Sequence, residues 1–322
     1  MLKLLHEIGR SVAVLDENAL LFVLRYGEGW PRPHFHPIYA PHSSRVVTLH
    51  APHDWVHHRG MMWAFGRVTP VAHPDDWVDF WNERECTRDA DGRKVWPKPL
   101  PAKRRGIVRH LAFDVLQPGR ECARICAQHE WRRASDDAVY FKSEMQVTAF
   151  PSRDDGWYFD LELSLHAHEA MRLENEATLE DPCLEDNDYG GVPFGLACQF
   201  ARELGGGVLL NSQGCRADAC VHGPARWCDF SNPVDDNDTE LHAEDTGIRW
   251  VGAAILDHPD NPAHPTPFFA LKRDAFLSAA PLSGGPLTIE ADETVRWKYR
   301  VFVHDGRGDA ARLDALWNEF TQ

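Results

Sequence analysis

The segment Tyr158-Phe-Asp-Leu-Glu-Leu-Ser-Leu-His-Ala-His168 decides the fold class, because apolar and polar side chains alternate along it without interruption. Successive side chains of an extended chain point to opposite sides, so Phe159 and the three leucines would share one face. The opposite face is either solvated, as on many antiparallel strands, or lines the concave side of a β-sandwich, where it would meet a substrate. That polar face carries Asp160, Glu162, Ser164, His166 and His168.

Other short apolar runs follow the same pattern and are separated by glycine, proline, asparagine and aspartate. The first two of these runs flank Asp16-Glu17-Asn18 and predict a hairpin. A basic stretch at 89–105 predicts an exposed loop. Only the C-terminal segment has helical spacing, with Leu313, Leu316 and Trp317 on one face. We therefore predict an all-β fold: a single domain over 1–322, formed by a large antiparallel β-sandwich with few helices and a C-terminal helix. A barrel is the alternative. The predicted strands are 11–15, 19–26, 143–150, 158–168, 208–211, 226–230, 247–256 and 297–304.

Composition restricts the partners. The 322 residues carry a formal net charge of −15, which disfavours binding to nucleic acid and to anionic membrane surfaces. No stretch approaches the roughly 20 apolar residues that a membrane-spanning helix needs, and the first residues lack a signal-peptide core. We expect a cytoplasmic protein whose eight cysteines are reduced thiols, and the sequence does not indicate an oligomeric state.

Histidine is unusually frequent, with 18 in the chain and eight between His34 and His73. The motif Arg32-Pro-His-Phe-His-Pro places His34 and His36 on one face of an extended segment. Seventeen residues after His36 comes a second motif, His53-Asp-Trp-Val-His-His-Arg-Gly. This density of imidazoles indicates a functional site as well as a scaffold.

Three interpretations of the histidine motifs stay open. His34 and His36 are suited to give two ligands to a divalent metal such as copper or iron, with His53, His57 or His58 as a third and Asp54 beside them. Without a metal, the same imidazoles would act as general acids and bases or bind hydroxyl groups. The third interpretation is structural, with histidines that satisfy buried carbonyl groups.

Further polar motifs follow downstream. Asp257-His-Pro-Asp-Asn-Pro-Ala-His-Pro is a proline-rich loop directly after an apolar strand, a position where β scaffolds often carry functional residues. Trp63, Trp81 and Trp227 are candidates to stack on sugar rings, although a core position is common for tryptophan.

These motifs resemble those of the bacterial PmoA-like family, which is named after a methane oxygenase subunit. The resemblance covers most of the chain and includes the two histidine motifs, Asp79-Phe-Trp, Gly106-Ile with His110, Arg226-Trp-Cys-Asp, the Asp257 motif and Tyr299-Arg-Val-Phe-Val-His-Asp-Gly. It implies a role in bacterial sugar catabolism rather than methane oxidation, and a galactose-mutarotase-like supersandwich. The implied ligand is a small carbohydrate in a concave sheet lined with histidine, carboxylate and tryptophan.

We therefore expect a carbohydrate-active enzyme that performs glycoside hydrolysis, elimination or epimerisation. The alternatives are a histidine-ligated metal oxidoreductase and a non-catalytic sugar-binding protein. This prediction requires no cofactor, and the metal interpretation would place a divalent metal at the histidine motifs. The candidate metal ligands are His34, His36 and His58. The candidate catalytic residues are His34, His36, His57, His58, Asp257 and His258. The candidate substrate-binding residues are Arg32, Arg59, Trp63, Trp81, His110, Arg226, Trp227, Asn261 and His264.

Overall fold

The fold is almost entirely β. The structure is a computed structural model that describes residues 1–41, 45–53, 55–174, 195–201, 207–216, 223–235, 248–272 and 274–322. In chain order the strands are β1 (Leu2–Glu7), β2 (Ser11–Asp16), β3 (Ala19–Arg25), β4 (His34–Ile38), β5 (Met61–Trp63), β6 (Arg67–Pro70), β7 (Val78–Asp79), β8 (Arg84–Arg88), β9 (Lys94–Pro99), β10 (Gly106–Gln117), β11 (Ala123–Arg133), β12 (Val139–Ala149), β13 (Gly156–His166), β14 (Met171–Leu173), β15 (Leu196–Gln199), β16 (Val208–Asn211), β17 (Gly223–Pro224), β18 (Trp227–Asp235), β19 (Ile248–Asp257), β20 (Pro267–Leu271), β21 (Phe276–Ala279), β22 (Leu287–Ile289) and β23 (Thr294–Asp305). A 3₁₀ turn at Pro74–Asp76 and helix α1 (Ala310–Phe320) complete the described elements.

Two large sheets pack against each other. One has the strand order β1-β2-β3-β4-β5-β15-β21-β20-β17, and the other has the order β10-β11-β12-β13-β23-β19-β18-β16. Phe22 and Phe35 of the first sheet contact Phe159 of the second, with ring centroids 5.0 and 5.5 Å apart. The main apolar core of the protein therefore lies between the two sheets, and the candidate functional residues of β4 lie on the outer face of the first one.

The predicted antiparallel sandwich and the C-terminal helix are confirmed, and the barrel alternative is wrong because the two sheets have separate edges. Phe159 and its three leucine neighbours are buried in the core, as the alternation predicts. On the opposite face, Asp160 forms a bidentate ion pair with Arg300 of β23 (2.7 and 2.9 Å). Helix α1 packs Leu313 and Leu316 on this same outer face, against Tyr158 and Phe302. The polar face of β13 is thus paired and partly covered.

Two local predictions are corrected. Part of the basic stretch predicted as a loop forms β9, which pairs with β8 in a two-stranded sheet. Arg84 stabilises this hairpin by donating to the carbonyl oxygen of Trp96 (2.6 Å). Cys86 of β8 is disulfide-bonded rather than reduced, and disulfides persist mainly in oxidising compartments. Within the described ranges, helix α1 is too short to cross a bilayer.

Candidate functional site

The outer face of the nine-stranded sheet carries the candidate site. His34 of β4 pairs with Met62 of β5, which pairs in turn with Ala197 of β15. Phe35, the next residue of β4, points its side chain into the core. Because side chains alternate along a strand, His34 and the residues paired with it must lie on the face away from the core.

Three histidines form what we call the imidazole cluster: His34, His36 and His50. The ring centroid of His50 lies 5.2 Å from that of His34 and 5.1 Å from that of His36. The indole of Trp30 contacts the rings of both His34 and His50 edge to face, with centroids 5.2 and 5.1 Å apart. Backbone pairing between His50 and Arg59 fixes the loop that carries His50 above the sheet.

His34 forms the floor of the imidazole cluster. Its Nδ1 lies 3.1 Å from the carbonyl oxygen of Arg32, so Nδ1 carries the proton and donates it. The side chain is fully buried, and burial holds its pKa well below the usual value for histidine. The neutral ring therefore presents the lone pair of Nε2, and this buried atom has no hydrogen-bond partner.

His36 and His50 are the more accessible members of the cluster. Burial, followed by the neighbouring His50 and the positive charge of Arg25, lowers the pKa of His36 to about 4. Burial, followed by the charges of Arg59 and Arg25, lowers the pKa of His50 to about 4 as well. All three imidazoles are consequently neutral at pH 7. Nδ1 of His36 pairs with the Thr48 hydroxyl (2.9 Å), so Nε2 is the ring nitrogen that Thr48 does not engage.

Two arginines surround Trp30. The guanidinium carbons of Arg25 and Arg59 lie 5.5 and 5.4 Å from the centre of its ring, which are cation–π distances. Arg59 also forms a bidentate ion pair with Glu83, with its Nε donating at 2.8 Å. The same Arg59 lies 3.5 Å from Nε2 of His50. Positive charge is therefore held beside neutral imidazoles.

Arg32 lies beneath this surface and is almost completely buried. It donates to the backbone oxygen of Trp81 (2.9 Å) and lies 3.5 Å from Glu83. These contacts connect the segments that carry the site. They favour a positioning role for Arg32 over the substrate contact that the sequence predicts.

His57 and His58 form a second group with three aromatic side chains. The His58 ring stacks on Trp55, with centroids 5.4 Å apart and planes at 6°, and on Phe276 of β21. Nδ1 of His58 donates to Oε1 of Gln199 (2.6 Å), and the Gln199 amide nitrogen donates to backbone carbonyls. His57 is buried, and Trp81 packs against both imidazoles.

The structure does not bring the predicted metal ligands together. His58 lies in the aromatic group, whereas His34 and His36 belong to the imidazole cluster. Among the described residues, only two sets of three histidine, cysteine or carboxylate ligand atoms lie within 4.8 Å of one another, and neither contains these histidines. One set is Asp114, Cys126 and Glu144, and the other is His166, His168 and Asp292. Asp54 lies outside the described residues.

The first of these two sets is already held together by a side chain. The Gln128 amide nitrogen donates to Asp114 (2.7 Å) and to Glu144 (2.9 Å). Burial, together with the two carboxylates, raises the pKa of Cys126 to about 11, so its thiol stays protonated at pH 7. These features disfavour metal binding there, because a metal-binding thiol must be deprotonated.

The loop that begins at Asp257 is held together by its own polar residues. Both carboxylate oxygens of Asp257 accept hydrogen bonds, from Asn261, His264 and Thr266. His258 contacts Phe320 of α1 edge to face, with centroids 5.1 Å apart. These contacts favour a structural role for Asp257, His258, Asn261 and His264.

The remaining candidates lie in other parts of the molecule. Arg226 and Trp227 both donate to Asp314 of α1 at 2.8 Å, so they anchor the helix. Trp63 packs in the sandwich core and lines a cavity of about 30 Å³. His110 lines a surface groove of about 450 Å³ that Trp30 also lines. His110 thus shares a groove with Trp30, which contacts the imidazole cluster.

Sequence reasoning missed several residues of the site. His50 belongs to the dense histidine region, but its position on the outer face depends on its pairing with Arg59, which the sequence does not show. Trp30 precedes the Arg32 motif by two residues, and this closeness in sequence is the feature that could have identified it as part of the site. Arg25 and Glu83 are ordinary charged residues in the sequence, and only the folded arrangement distinguishes them.

Gly60 links the second histidine motif to β5 and packs against His36. Its φ is +66°, and an added Cβ would lie 2.4 Å from the Phe35 carbonyl oxygen and 2.8 Å from Cβ of His36. We expect Gly60→Ala to lower the free energy of unfolding by about 2 kcal/mol, because the backbone is strained and β4 must move. Urea unfolding measures this. Gly29→Ala is the matched control, since its Cβ would meet nothing within 4 Å. Equal stability of the two variants would contradict the packing described.

Several solved structures are similar to this chain at low identity. The heparan sulfate lyase HepC from Pedobacter heparinus matches at 12% identity and a TM-score of 0.34, covering 93% of this chain and 34% of that chain. This chain thus spans about a third of the length of the lyase. A galactose mutarotase related enzyme from Lactobacillus acidophilus matches at 11% identity and a TM-score of 0.33, covering 96% of this chain and 99% of that one. A GalM/aldose epimerase homologue from C. elegans matches at 7% identity and a TM-score of 0.31, with the same coverage of both chains.

A comparison with curated proteins finds no match. A family model does match residues 11–318, and it is not the PmoA-like family that the motifs resemble. The chain belongs to DUF6807, a family of unknown function.

Proposed function

We propose that the chain is a carbohydrate-active enzyme that removes a proton from its substrate with a neutral histidine, in an elimination or an epimerisation. The observation that carries this proposal is the imidazole cluster: His36 and His50 are half-buried, and both are neutral at pH 7. A neutral imidazole is a base. His36 is the stronger candidate, because Nε2 of His50 already faces Arg59.

Charge at the site favours proton removal over hydrolysis among the three predicted reactions. Glycoside hydrolysis ordinarily uses two carboxyl groups on either side of the scissile bond. The described residues next to the cluster provide one carboxylate, Glu83, which is paired with Arg59. At pH 7 an imidazole with a pKa of about 4 carries no extra proton to give to a leaving group at the start of a hydrolysis. In an elimination, the proton that His36 takes from the carbon passes from the resulting imidazolium to the leaving oxygen. In an epimerisation, a solvent proton replaces it on the carbon and the imidazolium releases its proton to solvent.

In this mechanism, Arg25 and Arg59 would stabilise negative charge on the substrate. Removal of a proton next to a carbonyl or carboxylate places negative charge on the oxygen in the transition state. Arg25 and Arg59 lie beside Trp30 at the edge of the cluster. Positioned cations of this kind stabilise developing negative charge. A sugar that carries a carboxylate, a uronic acid, has both the acidic proton and the anionic group that this arrangement requires.

The test is activity on a panel of oligosaccharides that contain uronic acids and on simple aldoses. Elimination is followed by the absorbance of the unsaturated product, and epimerisation by uptake of solvent deuterium. We expect His36→Ala to lower kcat/KM by at least about 100-fold, which is within the usual contribution of a general base. His73→Ala is the control, because His73 is exposed and lies outside the site.

The pH dependence provides a second readout of the same experiment. Because the pKa of His36 is lowered to about 4, we expect activity to be constant near neutral pH and to fall as the pH drops through about 4. Full activity of His36→Ala would overturn the assignment. Binding of a sugar that is recovered without deuterium or other change would identify a binding protein instead.

A further inference from the structure

A second cluster of metal-ligating side chains lies at the end of β13, on the other sheet. His166 and His168 are two residues apart, and Asp292 lies in the turn before β23. One ligand atom from each of the three residues lies within 4.8 Å of the others. His166 is half-buried, and the other two side chains are exposed.

The backbone holds these two segments in place. Ala167, between the two histidines, donates its N–H to the Glu293 oxygen (3.1 Å) and accepts from the Asp292 N–H (2.8 Å). His166 pairs with Thr294 across the sheet. The three side chains therefore extend from a short, hydrogen-bonded region and are brought together without a long loop.

The His166 ring has the surroundings of a metal ligand. Its Nδ1 lies 3.1 Å from the Thr294 hydroxyl oxygen, so Nε2 is the nitrogen that remains for an ion. Metal-binding histidines ordinarily donate their other ring N–H to an oxygen in this way. The His168 ring lies 5.0 Å away, centroid to centroid, and perpendicular to the His166 ring. The nearby Glu293 carboxylate accepts from the Glu290 N–H (2.8 Å), whereas Asp292 has a carboxylate oxygen within 4.8 Å of ligand nitrogens of both histidines.

We infer that His166, His168 and Asp292 bind a divalent transition-metal ion of the zinc type. Two imidazoles and one carboxylate are a common donor set for such ions, and they leave coordination positions for water or a substrate. This site is separate from the imidazole cluster and does not depend on the proposed function. The ion would link the end of β13 to the turn before β23.

The experiment is a zinc titration of the full chain, purified without a histidine tag and dialysed against chelator. Calorimetry at pH 7 is expected to show one zinc ion per chain. His168→Ala and Asp292→Asn are each expected to weaken zinc binding by at least about tenfold. Both residues are exposed, so the variants are expected to fold, and their thermal midpoints without zinc check this. His73→Ala is the matched control, because it removes an exposed histidine elsewhere.

Zinc is also expected to raise the thermal midpoint of the wild type by more than that of His168→Ala, because the ion joins two segments of the fold. Unchanged zinc affinity in His168→Ala would overturn the inference, and so would absence of zinc binding by the wild type. His36→Ala separates the two proposals, since it should retain zinc. Loss of zinc in His36→Ala would place the ion at the imidazole cluster and would also overturn the inference.

Discussion

Asp229→Ala is expected to lower the free energy of unfolding by about 4 kcal/mol, because it breaks a buried ion pair. Oδ1 of Asp229 lies 2.7 Å from Nε2 of His304, and Oδ2 accepts from the Ser231 hydroxyl (2.6 Å). Both partners of the ion pair are almost completely buried. Nδ1 of His304 also lies 3.2 Å from the Asp305 carbonyl oxygen, so the protonated ring has an acceptor at each nitrogen.

The surroundings of this pair leave little room for relaxation. A Cβ added at Gly308 would lie 2.2 Å from Oδ2 of Asp229, and one added at Gly252 would lie 2.7 Å from the His304 ring. Burial lowers the pKa of His304, but the charge and the hydrogen bond of Asp229, together with the carbonyl oxygen and the charge of Asp305, more than offset this, so the net direction is upward. Without Asp229, the buried imidazole loses the charge that keeps it protonated.

Urea unfolding at constant pH measures this loss. Asp260→Ala is the matched control, because Asp260 pairs with Lys298 at the surface, where ion pairs contribute at most about 1 kcal/mol. The interpretation is wrong if the two variants lose the same amount of stability.

Asp257→Ala is expected to cost a comparable amount, about 4 kcal/mol, for a different reason. Its carboxylate accepts four hydrogen bonds of 2.7 to 2.9 Å, from Asn261, His264 and both the N–H and the hydroxyl of Thr266. Asn261 and Thr266 are buried, so the substitution leaves donors without partners and away from water. Each such donor typically costs about 1–3 kcal/mol.

A graded pair of variants tests this explanation. Thr266→Val removes one of the four donors and is expected to cost about 1 kcal/mol, whereas Asp257→Ala removes the common acceptor. Limited proteolysis at 258–265 should increase in Asp257→Ala, because the loop loses its anchor. A loss for Asp257→Ala no greater than that for Thr266→Val would show that Asp257 does not hold the loop.

The sequence predicts the fold well where side-chain alternation is strong. The β13 segment identifies its buried face correctly, and β16 begins and ends where the apolar run predicts. Short strands such as β5 were missed because three residues carry too little pattern. The strand β9 was missed because its lysines and prolines resemble an exposed loop.

The candidate site is harder to predict, because it depends on contacts between distant residues. The spacing of His34 and His36 places them on one face, as predicted, but spacing does not bring His50, Arg25 or Glu83 to them. The third predicted metal ligand, His58, instead stacks on the rings of Trp55 and Phe276. The sequence places His166 and His168 on one polar face. It does not show that they lie near Asp292, because that proximity arises from the pairing of β13 with β23.

The pairing of β5 with β15 has a consequence for how the protein folds. Strands β1 to β4 pair with their sequence neighbours, so this part of the sheet requires only short loops to close. The His58–Gln199 hydrogen bond, in contrast, joins residues 141 positions apart. Closing so long a loop costs chain entropy before any contact compensates for it, which slows folding. We therefore expect the outer face that carries the histidines to be completed after the N-terminal strands have formed.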